Sequence, residues 1–303
     1  MTAVSASPGL RAEAVRVLRR TWAARILPGL LFVLVAVLVA AWFSVPVPSG
    51  PVHAELARLR SANEVIGVGM IVIAFVSAYL ILTPDLTEAY DSLSARRGSR
   101  PLAFAAGRAL VGIAGLLASA VVLAVAVEVL DVGGRYRLDE ALDVLVKLAN
   151  ATAVLMLSLA FICAFGRIFG IIATFFLMNI GTDSAYHQGA ITDHFIESTS
   201  LATAENYFAF LAPPPLVDRL TGIAVIDQSV ALQQFPVWEG NSIWGTELIQ
   251  VSRPADVVRY AVYVLVVSAL FYLACLRRAR QARARLRPTT WTAARAPDPK
   301  PRA

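Results

Sequence analysis

Ala149-Asn150-Ala151-Thr152-Ala153-Val154-Leu155-Met156-Leu157-Ser158-Leu159-Ala160-Phe161-Ile162-Cys163-Ala164-Phe165-Gly166-Arg167-Ile168-Phe169-Gly170-Ile171-Ile172-Ala173-Thr174-Phe175-Phe176-Leu177-Met178-Asn179-Ile180-Gly181 is a run of 33 residues broken by a single charge. As one straight helix it would reach about 50 Å at about 1.5 Å per residue. Bilayer hydrocarbon is only about 30 Å thick, so ordinary tilt does not absorb the excess. The run must fold back or protrude. Phe165-Gly166-Arg167 offers the turn, because glycine permits the bend and arginine favours the headgroup region. A hairpin makes two spans of the run and gives the chain six, with both ends on one side. A rod gives five, with the ends on opposite sides.

The rest of the chain repeats the pattern. Residues 26 to 44, 65 to 83, 109 to 127 and 260 to 276, like the halves 149 to 164 and 168 to 181, hold no Asp, Glu, Lys, Arg or His. Apolar residues make up 57% of 303 and mean hydropathy is +0.65, values that describe a polytopic all-α membrane protein. Ion- and proton-driven carriers place ionisable groups inside the membrane, so uncharged spans point to a pore-forming subunit with a separate motor. About 25 residues precede the first span, and Leu38-Val39-Ala40-Ala41-Trp42 is a poor cleavage site, so a retained signal-anchor is expected. Cys163 and Cys275 fall within spans, and no structural disulfide is predicted.

Charge chooses between five and six. With six spans and an inside N-terminus, 19 of the 27 basic residues lie inside: 5 before span one, 4 between spans two and three, Arg167, and 9 after span six. The same count puts 5 acidic residues inside and 16 outside. Lysine and arginine are retained on the cytoplasmic side, and five spans would leave an arginine cluster outside. The expectation is a plasma-membrane protein with residues 1–25 cytoplasmic, a six-helix domain over 26–276 and a basic cytoplasmic tail over 277–303.

Two flanks have their own character. Leu10, Ala14, Val17, Leu18, Thr21 and Trp22 share one arc of a helix, and Arg16, Arg19 and Arg20 the other. This reads as an amphipathic helix lying on the inner leaflet, with a plain positive flank as the alternative. The tail from Arg277 to Arg287 follows a span directly and reads first as a topology anchor; as a binding segment, anionic lipid headgroups are a nearer partner for it than nucleic acid.

The cytoplasmic loop over 84–108 is more specific. Thr83-Pro84-Asp85 starts a helix well, Leu86, Tyr90 and Leu93 follow on one face, and Gly98 after Arg96-Arg97 stops it. A short amphipathic helix of this kind docks in a groove on a soluble partner, with the apolar residues as anchor and Glu88, Asp91, Arg96 and Arg97 as polar rim. The alternative is a helix resting on the headgroups.

Leu93-Ser94-Ala95-Arg96-Arg97-Gly98-Ser99-Arg100-Pro101-Leu102-Ala103-Phe104-Ala105-Ala106-Gly107-Arg108 resembles the corresponding loop of type-2 ATP-binding-cassette (ABC) exporter permeases. There an apolar pair, a Ser-Arg and a Gly-Lys opening span three occur in this order. Here Leu93, Ser99-Arg100 and Gly107-Arg108 stand in those places, with arginine for lysine and no proline before Ser99. Span order, sidedness, the helix before span one and a longer outside segment before span six extend the resemblance. It implies a dimer of such subunits, each docking one ATPase through Leu86, Glu88, Tyr90, Asp91, Leu93, Arg96, Arg97 and Arg100, and outward movement of a substrate. No cofactor is expected on this chain. Only Lys147 and Lys300 occur, and neither completes Gly-x-x-x-x-Gly-Lys-Ser/Thr, the loop whose amides and lysine hold nucleotide phosphates.

Asn150, Thr152, Ser158, Thr174, Asn179 and Ser268 are the polar side chains inside spans, available to line a path or to bond between helices. Gly112, Gly115 and Ser119 form a small-residue stripe suited to close helix packing. The outside segment over 182–256 carries 9 acidic and 2 basic residues, with apolar pieces too short to span around Pro213-Pro214-Pro215, suggesting re-entrant or interface-lying helices. His187 and His194 lie near Asp183, Asp193 and Glu197 without a zinc-binding spacing, and are read as loop residues. Glu88 to Arg96 distantly resembles the start of the CDP-alcohol phosphotransferase motif. The second aspartate pair which that metal chemistry needs is absent between Asp91 and Asp131, and the enzyme reading is rejected. Two rivals to a permease stand: a membrane assembly or scaffold protein, which predicts no ATPase gene nearby, and a secondary carrier of neutral solutes, which predicts transport without any ATPase.

Overall fold

The computed structural model describes residues 10–20, 23–44, 51–82, 101–131, 137–187, 211, 213, 216 and 254–286. Seven helices are described: α1 (Leu10–Arg20), α2 (Ala23–Ser44), α3 (Pro51–Leu82), α4 (Pro101–Leu130), α5 (Arg137–Phe165), α6 (Arg167–His187) and α7 (Pro254–Leu286). Among the described residues there is no strand. Five helices hold apolar windows long enough to cross a membrane: Ile26–Ser44, Ser61–Leu82, Pro101–Leu130, Ala141–Phe165 and Val257–Gln281. The chain is an all-α membrane protein by this measure. In α6 the described apolar stretch is the shorter Arg167–Met178.

The 33-residue run does fold back. Gly166 has φ of +93°, a conformation that side chains with a Cβ rarely adopt, and it separates α5 from α6. The α5 end is closed by the Gly166 amide bonding the Ile162 carbonyl at 3.0 Å. A Cβ at Gly170 would lie 2.5 Å from the Ile162 Cα. In a continuous helix positions 162 and 170 would stand about 12 Å apart, so the chain has reversed. Glycine at 170 lets the two backbones close on each other directly after the corner.

Contacts between helices give each helix its direction. Ile81 of α3 and Leu155 of α5 both reach Gly112 of α4, at 3.4 and 2.7 Å from its Cβ position, and Lys147 lies 3.5 Å from that of Gly67. Passing from 67 to 81 and from 147 to 155 therefore runs the same way, so α3 and α5 are parallel. Tyr260 donates to the Ala149 carbonyl at 2.5 Å, and Cys275 Sγ lies 3.8 Å from Cys163 Sγ, which makes α7 parallel to α5 as well. One end of the bundle accordingly gathers α1, the finish of α3, the start of α4, the Gly166 corner and the basic last turns of α7.

Burial sets the order of the layers. In its apolar window α5 is 61% buried, against 11% for α2 and α7, so α5 is the central helix and those two are peripheral. Val154, Leu155, Leu157, Leu159 and Ile162 of α5 are all buried, packed with Met70, Ile73, Ile81 of α3 and Leu116, Leu123 of α4. Exposed apolar side chains such as Phe32, Phe43, Val129, Phe169 and Leu265 cover the outside, as expected of a surface facing lipid.

The helices outrun the apolar segments read from sequence. α3 begins at Pro51 and α5 at Arg137, so Glu64, Asp143 and Lys147 lie within spanning windows, as do Arg108 and Glu128 of α4. Once nucleated, a helix propagates through any residues that tolerate it, and proline at the first position of α3 is a favourable start. The charges cluster at the window ends. Asp143 is buried and pairs with Lys147 at 3.7 Å.

Candidate functional site

The face that carries α1 is the candidate site. The loop over 83–100 is joined there to Leu82, the last residue of α3, and to Pro101, the first of α4. Leu86, Glu88, Tyr90, Asp91, Leu93, Arg96, Arg97 and Arg100 all fall outside the described residues, but both feet of their loop are fixed. Ile81 and Leu82 are buried at the end of α3, and Ala105, Gly107 and Arg108 at the start of α4.

Arg108 is the least expected of these. It is 1% exposed, and its Nη1 lies 3.9 Å from Oε2 of Glu13, itself 0% exposed on α1. The same Nη1 donates to the Phe104 carbonyl at 3.0 Å, and the guanidinium carbon stands 3.2 Å from the centroid of the Phe104 ring. Two opposite charges out of water hold together because separating either from the other leaves a bare buried charge. Position 107 makes room: its Cβ position is 3.0 Å from the Glu13 Cβ and 3.3 Å from the Ala14 amide.

So α1 is a helix packed on α4, and the surface it turns to its partner differs from the arc read in sequence. Glu13 and Val17 are buried and Ala14 half-buried, while Leu10, Val15 and Leu18 are exposed, the part left for an interfacial surface. Thr21 and Trp22 lie outside the described residues. Sequence reasoning missed Glu13. The signal was present: it is the one acidic residue among the first 25, which hold five arginines.

Span polar groups divide by partner. Thr152 donates to Leu148, Thr174 to Gly170 and Ser268 to Val264, each four residues back at 2.6 to 2.8 Å, so these hydroxyls serve their own helices. Ser158 is fully buried in α5. The side chain of Asn179 is outside the described residues. Among the described side chains of this set, Asn150 alone bonds to a distant part of the chain: its amide nitrogen donates to the Leu216 carbonyl at 2.9 Å, and its oxygen accepts from the Leu216 amide at 3.0 Å. Tyr263 of α7 donates to the Leu211 carbonyl at 2.9 Å. Irregular backbone at membrane depth survives only where protein satisfies its polar groups, and these side chains do that for two points of the segment over 182–256. The small-residue stripe of α4 faces its neighbours, with Gly112 on Leu155 and Gly115 3.6 Å from Leu27.

No protein-family model matches the chain, and neither a curated protein nor a solved structure matches it.

Proposed function

We propose that the chain is the membrane-spanning permease subunit of an ABC exporter, with six spans, both termini cytoplasmic in the plasma membrane, and a separate ATPase docked on the loop between spans two and three. It works as a dimer, with a second copy or a similar chain. ATP closes two attached nucleotide-binding subunits, and the helix from Asp85 to Arg97 passes that movement to α3 and α4 as a rigid-body shift that opens the path outward.

The observation that supports this most is the fixing of the loop's feet. A push on residues 83–100 enters two helices whose ends are packed into the core, one of them tied to α1 through Glu13 and Arg108. A floppy attachment would dissipate the stroke. The fold-back at Gly166, with α1 and the end of α7 on one face, supports an even number of crossings. In that reading α6 is the fifth span, completed by residues beyond Met178.

Docking is tested by capture. Leu86→Asp, Tyr90→Asp and Leu93→Asp together should abolish co-purification with an ATPase encoded beside this chain, leaving membrane insertion intact. Undiminished association would exclude that face as the dock.

A further inference from the structure

Near the Gly166 corner, an open groove of about 460 Å³ lies between α5 and α7. Its α7 wall is Leu270, Leu273, Ala274, Arg277, Arg278 and Gln281, spaced as one face of a helix. Polarity changes along that face. Leu270 and Leu273 are about half exposed toward the flank of the bundle, and the two arginines and the glutamine follow within the next turns. On the α5 side stand Phe161 and Phe165, their rings edge-on at 5.7 Å. Among the described residues no carboxylate pairs with Arg277 or Arg278.

We propose that this groove binds one anionic phospholipid, with its phosphate between Arg277 and Arg278 and one acyl chain laid along Leu273 and Leu270 against the phenylalanines. The guanidinium fork suits phosphate oxygens, and a basic recess between helices at the membrane edge is where such headgroups are held. A free phosphate would satisfy the arginines and leave the apolar floor uncovered. That floor extends about 12 Å along α7 from Arg278 to Leu270, enough for much of an acyl chain. The volume is that of a small-molecule site. The proposal requires only that α7 crosses a membrane and stands apart from any transport role. The bound lipid would bridge α5 and α7 beside the Cys163–Cys275 contact.

Native mass spectrometry of the full-length chain in neutral detergent reads this directly. Dioleoyl phosphatidylglycerol should be retained at roughly 30-fold lower concentration than dioleoyl phosphatidylcholine, the scale expected of two arginines near an anionic surface. Arg277→Gln with Arg278→Gln should remove that preference. Arg283→Gln with Arg285→Gln removes the same charge nearly two turns further along the helix and should keep it. Ala164→Trp, which fills the groove with every charge in place, should also abolish it. Should the double arginine variant fail to fold, the wild-type comparison and Ala164→Trp still decide. Equal retention of the two lipids overturns the proposal, as does equal loss in both arginine pairs, preference surviving in Ala164→Trp, or full displacement by glycerol phosphate without chains.

Discussion

Glu13 and Arg108 are separated by 95 positions, and burial makes each depend on the other. Removing one partner of a buried pair leaves an uncompensated charge, so Glu13→Ala should cost about 3 kcal/mol, the low side of the usual range because the contact is 3.9 Å. Replacing both by leucine should recover most of that in thermal unfolding of the purified chain. A double variant as unstable as the sum of its singles would show the two are not coupled. Asn150→Leu keeps the volume and withdraws both bonds to Leu216, which should destabilise by about 1 to 3 kcal/mol and expose the chain near residue 216 to protease. Unchanged melting and digestion would assign those bonds no weight. Neither pair was legible in the sequence, since nothing local marks a partner 66 or 95 residues away. Pro213-Pro214-Pro215 did hold a hint for the second: prolines carry no N–H, so Leu216 brings the first backbone donor after them.

Among elements, the α5–α6 corner was the most readable, because length, glycine and arginine all demanded a break at one place. Helix lengths were not readable from apolar runs. The polar stretch before residue 65 contains nothing that stops a helix after Pro51, so α3 runs for 32 residues. α1 was predicted as a helix, and the surface it buries was not, because its partner α4 supplies a glycine and an arginine that no periodicity reveals. The loop helix from Asp85 to Arg97 lies outside the described residues and rests on capping and spacing alone. The parallel course of α5 and α7 can be checked with the chain's own two cysteines. Mild oxidation should join Cys163 to Cys275, since Sγ atoms 3.8 Å apart need close by only about 2 Å to reach bonding distance. The linked peptide should be found by mass spectrometry without reduction. Disulfides formed only between different molecules would contradict the pairing of these helices.

For the whole molecule, arginine placement and helix direction point the same way. Nineteen of the 27 basic residues were assigned to the inside from sequence, and the face that gathers α1, the Gly166 corner and the end of α7 holds Arg108, Arg167, Arg277, Arg278 and Arg280. The proposed engine must grip that face from the cell interior, so the proposed function depends on sidedness. A single cysteine in place of Thr290, in a chain with Cys163 and Cys275 replaced by alanine, reports it in one step. With the C-terminal tail inside, residue 290 should not react with a membrane-impermeant maleimide on intact cells and should react fully once they are opened. Labelling of residue 290 on intact cells would contradict it.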